Sequence, residues 1–568
     1  MNDILFNMRF NRIFFFLLFI LTIILSFNYH HGKGYFNHRS EIYADKAGYY
    51  CYLPAALFFR FDPDLFPDSI VEKTGYGFVP NTDYGKVFIK YTYGVSLLVS
   101  PFFFATHFLS LTFDIPEEGG FSPWYHKMVN IAAAVYLILG LMLLRHVLAL
   151  YFKPAIQYIL ILVVYLGTNL FFYTIVDSLM SHVYSFFLFA LFLFALNRFL
   201  KKQYFGWFIL LSFAGSLAML IRPTNVILFS LFFFWDVRFG REIVDRIRLF
   251  FKPIHSVSLI VILFLVFLPQ MLYWKYAWGS YFFYSYGQEG FNQWLQPYLL
   301  EVWFAPLNGV FLYSPVVILM VIGMFYMIWK RIPNGILILI LFFTISYLFA
   351  SWDTWYFGCS FGYRAFIEFY VLLLFPLGYL IRAVFDKKQW ILITGLLVMM
   401  VLFGFYTFTL SLSYPGCYRG STWDFTGYKI NLARAGLLSG GYQLHQRNIN
   451  PVIVEPSNEF SASGSWLIED FKLAKPTRIV VESRVKNPGD SLLGARIVCS
   501  VERDYVPVLY QSAGLDSIMD LKGEWNYVKA EFEIPTWILP ECTIKIYCWN
   551  RSKSQFLLDT TRVMFYVK

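Results

Sequence analysis

The chain has 568 residues, of which 58% are hydrophobic, 21% aromatic and only 14% charged, with a mean hydropathy of +0.54. A soluble domain is about a quarter charged, so the composition excludes a water-soluble globular protein and marks a polytopic membrane protein. The formal net charge of +10 suggests nucleic acid, but the basic residues fall in short gaps between apolar runs, where membrane orientation requires them, and no nucleic-acid partner is expected.

Apolar runs near the ~20-residue spanning length fall at 12–27, 127–147, 155–175, 180–197, 205–220, 223–236, 256–274, 309–329, 334–350, 364–382 and 390–412. The first follows Arg9 and Arg12 and has no small-residue cleavage site after it. It reads as a retained span, not a signal peptide. Basic clusters close alternate gaps: Arg198, Lys201 and Lys202; then Arg238 to Lys252; then Lys330 and Arg331; then Arg382, Lys387 and Lys388. Lys and Arg stay on the cytoplasmic side. The aromatic gaps 274–306 and 351–363 are therefore expected together on the outer side. The run 92–110 tests this reading. If it spans, five basic gaps move outside. If it lies in or re-enters the outer leaflet, every basic gap is cytoplasmic. The second reading predicts about eleven spans, with the N-terminus inside and the C-terminus outside.

Several outer segments carry chemistry. The first outer loop, about 28–126, holds Glu41-Ile-Tyr-Ala-Asp45-Lys-Ala-Gly-Tyr-Tyr-Cys-Tyr-Leu-Pro54 and, later, Lys90. A helix would place Glu41 and Asp45 on one face. A carboxylate at the lipid boundary is poorly solvated, which raises its pKa and suits a general base; a solvated helix N-terminus would use acids equally well. Asp177 and His182 lie at the outer end of two runs. There they serve either function or as a polar staple. Arg222, in an Arg-Pro turn, is on the wrong side for the charge rule and must pair with a carboxylate or bind an anion. The helix end near Lys275 adds a further cation. Last comes Trp352-Asp353-Thr354-Trp355-Tyr356-Phe357-Gly358-Cys359-Ser360-Phe361-Gly362-Tyr363-Arg364. An interfacial aromatic belt explains Trp352, Trp355 and Tyr363 but not Arg364, which is placed for phosphate.

Beyond about 413 the pattern changes to period-two alternation, as in 477–483, 495–501 and 543–549, separated by polar turns. This predicts a soluble extracytoplasmic β-sandwich over 413–568, whose closing strands weakly resemble those of jelly-roll carbohydrate-binding modules. The six cysteines, at 51, 359, 417, 499, 542 and 548, all fall on the outer side or in this domain. Either Cys499 pairs with Cys542 or Cys548, or these are buried free thiols.

Taken in order, the acidic motif before an aromatic juxtamembrane segment, the apolar segment at 93–110, Asp177, the Arg-Pro turn and the Trp-Asp-x-Trp-Tyr loop resemble a bacterial GT-C superfamily membrane glycosyltransferase. The pattern is similar to protein O-mannosyltransferases and aminoarabinose lipid A transferases. The resemblance covers about 1–412 and implies a bacterial inner-membrane enzyme. It would move a hexosyl or pentosyl group, with inversion, from a polyprenyl-phosphate donor to a glycan, lipid or protein acceptor outside. It implies Asp45 as general base with Glu41 beside it, and Arg364, then Arg222, His182 and Lys90, as cations for the departing phosphate. Asp177, Asp353, Trp352, Trp355, Tyr363 and Lys275 would support them. In this chain Glu41 and Asp45 are separated by three residues, where several relatives have adjacent acids, so which is the base stays open. No metal or other cofactor is required. If one is used, Glu41 and Asp45 suggest Mg2+ or Mn2+.

Two other classes compete. A transporter or lipid flippase for a glycan precursor would need charges near the bilayer middle and similar halves. Here the charges gather at one face and the halves differ. A membrane-anchored carbohydrate-binding receptor would need one span, not many.

Overall fold

The apolar runs fold as helices, because backbone surrounded by lipid must satisfy its own N–H and C=O groups. The computed structural model describes residues 2–32, 41–414, 421–438, 443–468, 476–487, 493–503, 506–515, 525–535, 538 and 541–567. Among the described residues six helices are long and apolar enough to cross a bilayer: Arg9–His31, Gly94–Phe113, Pro123–Leu148, Ser181–Lys202, Pro253–Trp278 and Trp390–Ser413. Shorter apolar helices are Pro154–Leu166, Phe205–Ile221, Pro223–Phe234, Val316–Trp329 and Gly335–Ala350. The expectation of about eleven spans therefore exceeds the six helices of full spanning length.

Two expected runs are broken for a physical reason. The run 155–175 divides into Pro154–Leu166 and Leu170–Ile175, and the run 309–329 into Val310–Tyr313 and Val316–Trp329. The breaks meet in a buried knot. Asn169 N–H donates to Ser314 Oγ at 3.1 Å, its amide donates to the Phe361 carbonyl, and Tyr370 Oη donates to Asn169 Oδ1 at 2.8 Å. Protein groups replace the hydrogen bonds the helices lose, so irregular backbone is tolerated here.

Gly94–Phe113 is one unbroken helix, which excludes a re-entrant hairpin within it. It runs along the short helices Asp45–Tyr50 and Tyr52–Leu57. Ser96 is hydrogen-bonded to Tyr49, Phe103 packs on Tyr50 and Phe58, and His107 packs on Phe58. A two-stranded hairpin, β1 (Phe78–Asn81) and β2 (Lys86–Ile89), closes this region.

The long helices join two polar clusters. Along Ser181–Lys202 and Phe205–Ile221, one end places Arg222 3.3 Å from His182 and the other packs Phe199 on Phe208. At the second end Tyr151 and Asn334 both donate to the Asp236 carboxylate. These three come from gaps that the charge pattern assigns to one side.

By internal contacts the chain divides into two units, 1–30 with 40–435, and 436–568. The boundary falls later than the expected 412, because helix Phe425–Arg434 belongs to the first unit: Tyr428 Oη donates to the Leu312 carbonyl at 3.0 Å.

Among its described residues the second unit holds ten antiparallel strands: β3 (Gln443–Ile449), β4 (Val452–Val454), β5 (Phe460–Leu467), β6 (Pro476–Lys486), β7 (Ala495–Arg503), β8 (Val506–Gly514), β9 (Trp525–Glu533), β10 (Thr543–Asn550), β11 (Phe556–Leu558) and β12 (Thr561–Val567). One sheet has the order β5-β10-β7-β8; the other runs β3-β12-β6-β11-β4, with β9 also on β6. Their inward residues share one core, including Ile479, Val481, Phe532 and Phe565 from one sheet and Ile497, Cys499, Ile544 and Ile546 from the other. The expected strands all form, because alternation writes the buried face into the sequence directly.

Cys499, Cys542 and Cys548 are buried free thiols, so neither proposed pairing among them exists. Cys359 is in a disulfide; Cys417 lies outside the described residues. A bulky maleimide is expected to leave Cys499, Cys542 and Cys548 unmodified in the native protein and to modify all three after unfolding, as intact-mass measurement would show. Rapid native labelling of any of the three would contradict this core.

Candidate active site

Asp45 starts its helix directly. Glu41 lies before the helix, in a turn that ends with Ala44 at φ 51°. The helix expected to carry both carboxylates on one face therefore does not exist, and the two point into different surroundings. Close backbone packing fixes this turn: Ala44 N–H donates to the Thr74 carbonyl at 2.8 Å. A Cβ on Gly77 would sit 2.0 Å from the Ala44 oxygen, and one on Gly48 2.4 Å from the Gly77 oxygen. Both positions need glycine because the chains touch there.

Glu41 is fully buried. Its carboxylate meets His30 Nδ1 at 2.9 Å and His126 Nδ1 at 3.1 Å, and accepts from Asn130 Nδ2 at 2.9 Å. Burial pushes its pKa up, but the two imidazoles outweigh this and hold it well below the usual glutamate range. The upward shift expected for a boundary carboxylate is thus reversed. Glu41 joins three elements, because His30 ends the first helix and also meets the Ile175 carbonyl at 2.8 Å.

Asp45 is 40% exposed and pairs with Arg364 Nη2 at 3.3 Å. Beside it, Lys46 donates to Asp177 at 2.7 Å. Arg222 donates to Glu368 at 2.9 Å, and His182 Nδ1 lies 3.3 Å from the same carboxylate. The ring of Phe357 lies beneath both arginines, 5.9 Å from the Arg222 guanidinium carbon and 5.7 Å from that of Arg364. Phe357 adopts φ 55° to present it, a strained conformation that a packed surrounding must hold. Tyr91 faces Asp45, and its hydroxyl is pushed well up in pKa, first by burial and then by that carboxylate. Tyr286 has the same upward direction, from burial first and then Tyr49 and Asp45, against the opposing pull of Arg222.

The remaining expected residues divide. Lys90 sits at the rim, 3.0 Å from Glu289 and over the Tyr286 ring at 4.9 Å. Trp352 packs edge-on against Tyr286. Asp353 instead accepts from Gly290 N–H at 3.0 Å and from Asn292, pinning one loop to another. Trp355 and Tyr363 are buried and stacked behind the loop, rings 6.4 Å apart. Lys275 donates to the Gly279 carbonyl at 2.8 Å, capping its own helix away from the cluster.

Sequence reasoning missed Lys46, Tyr91, Phe357 and above all Glu368. Glu368 stands four residues after Arg364 inside an apolar run. An ionisable group there is a functional signal by itself. Among the described residues no group of three His, Cys, Asp or Glu side chains is arranged to hold a metal. The two acids named for that role, Glu41 and Asp45, are engaged separately.

No protein-family model matches the chain, and no curated protein sequence matches it. The function therefore rests on the geometry.

Removing one partner of a buried ionic group costs roughly 3–5 kcal/mol. Glu41→Gln is therefore expected to lower the melting temperature in detergent markedly, whereas Asp45→Asn leaves it nearly unchanged. Glu41's lowered pKa means its contribution is fully present above pH 4.5 and is lost as the pH falls towards the lowered value. Equal melting of both variants at neutral pH would contradict the burial assigned to Glu41.

Proposed function

We propose that the helical unit is a membrane glycosyltransferase that moves a sugar from a polyprenyl-phosphate donor to an acceptor hydroxyl on the outer face of a bacterial inner membrane. One observation carries this reading. The accessible carboxylate, Asp45, is paired with a cation, Arg364, in a cluster otherwise closed by tyrosines.

Asp45, Asp177 and Glu368 are each met by a cation, Arg364, Lys46 and Arg222. A donor phosphate must therefore displace a carboxylate. Glu368 is fully buried, and Asp177 is held at 2.7 Å. The Asp45–Arg364 contact, at 3.3 Å with Asp45 40% exposed, is the pair most open to exchange. Phosphate takes the Arg364 fork, and Asp45 is released toward the acceptor. The acceptor oxygen then forms a bond to the anomeric carbon as its proton passes to Asp45. The bond from that carbon to the phosphate oxygen breaks, and its electron pair leaves with the phosphate. Arg364 meets the charge as it develops. Attack opposite the phosphate inverts the centre.

Arg222 and His182 are occupied by Glu368, and Arg222 packs over the Phe357 ring, a role behind the phosphate rather than on it. Lys90 guides the anion at the rim. Glu41 holds the loop. The chemistry needs no metal, since arginine supplies the charge.

Under the same reading 238–252 faces the cytoplasm and the second unit faces outward. This reading takes Gly94–Phe113 as lying in the outer leaflet, which keeps every basic gap inside. Single cysteines at the exposed positions 245 and 457 are expected to react with an impermeant reagent from opposite sides of oriented vesicles. Reaction of both from one side would overturn the topology.

The transfer itself is tested with a polyprenyl-phosphate sugar and purified protein. A general base contributes on the order of 10²–10⁴-fold, so Asp45→Asn is expected to lose that much turnover while melting normally. Arg364→Lys keeps the charge but loses the fork and is expected to retain reduced turnover. Full activity in Asp45→Asn would refute the assignment.

A further inference from the structure

At the other end of the helical unit lies a cleft of about 910 Å3, between the segment 227–238 and the turn joining Val316–Trp329 to Gly335–Ala350. Its trough is apolar, formed by residues such as Ile227, Phe234, Ile328, Ile336 and Leu341. Its mouth carries Arg238 and Arg331, both exposed. Among the described residues neither guanidinium has a carboxylate partner. The nearby acids are engaged elsewhere: Asp236 accepts from Tyr151 and Asn334, and Glu242 accepts from the Arg238 backbone N–H at 2.9 Å. Asn334 opens helix Gly335–Ala350, yet its side chain accepts from Asp236 N–H at 2.7 Å instead of capping that helix. The cleft mouth therefore has two free cations and an uncapped, partly positive helix end, above a trough of chain-binding character. Its volume is that of a small-molecule site.

We propose that this cleft binds one anionic phospholipid, with the phosphate between Arg238 and Arg331 and one acyl chain along the trough. Charge complementarity selects this occupant. A soluble anion would leave the trough empty, and a neutral lipid would leave two arginines unmatched at a membrane surface, where anionic headgroups are the available counter-charge. The proposal rests on the membrane reading of this unit and is independent of the transferase chemistry.

Native mass spectrometry of the full-length protein in detergent, with phosphatidylglycerol or phosphatidylcholine added, tests it. Wild-type protein is expected to retain phosphatidylglycerol roughly tenfold over phosphatidylcholine, since basic residues near a surface each favour anionic lipid substantially. The double variant Arg238→Ala, Arg331→Ala is expected to lose the preference. Thr344→Trp, which fills the trough from its wall and leaves both arginines in place, is expected to lose bound lipid of either kind. Arg248→Ala, at an exposed residue outside the cleft, is expected to change nothing. The proposal fails if wild-type protein shows no preference, if the double variant keeps it, or if Thr344→Trp retains lipid fully. It also fails if Arg248→Ala matches the double variant or if inorganic phosphate displaces the lipid. Transfer activity enters none of these readouts, so a failed transferase assignment leaves them unaffected.

Discussion

Glu368 carries a buried charge in the turn just before helix Tyr370–Asp386, and that charge must be matched inside the protein. Arg222 and His182 supply the match. They come from different parts of the chain, so one carboxylate joins the start of Ser181–Lys202, the Arg-Pro turn and the segment leading into Tyr370–Asp386. An uncompensated charge there would cost several kcal/mol, which makes these three elements cohere or fail together. Phe357 lies on the arginine so fixed, and the same ring supports Arg364. The placement of Arg364 against Asp45 thus follows from the Glu368 network, and so does the chemistry proposed for the pair.

Glu41 does similar work at a neighbouring junction, with two imidazoles and an amide in place of arginine. The two acids of the first loop look equivalent in sequence and are not. One is sealed among partners from two helices. The other is left at the surface of the cluster by a single left-handed residue, Ala44, and two glycines that admit backbone contact. A general base must be reachable by its substrate, and burial alone separates the two.

How much of this was legible beforehand differs by element. The β-sandwich was, because an alternating strand carries its buried face in its own residues. Membership of the polar cluster was also legible: Asp45, Asp177, His182, Arg222 and Arg364 are polar groups where an apolar run does not want them. Their partners were not, since ion pairs such as Arg364 with Asp45 span 319 positions and no local period encodes them. Asp353, in the same loop as Arg364, instead serves the loop at Gly290. The helix breaks at Asn169 and Ser314 were hidden for the same reason. Each is permitted only by the other, and both by Tyr370.

The two ends of the helical unit solve the charge problem in opposite ways. At the Asp45 end each of the three acids named has a cation, and the cluster is close to neutral before any ligand arrives. At the Arg238 end the nearby acids, Asp236 and Glu242, are taken by hydroxyl, amide and backbone donors, and among the described residues two arginine side chains have no carboxylate partner. A neutral cluster binds an anion only by exchanging one of its own carboxylates, so binding and release of a base become one event. An unmatched pair binds an anion without exchange and gives nothing up. The first arrangement suits turnover, because the carboxylate can reclaim its cation when product leaves. The second suits a resident lipid, which has no reason to leave.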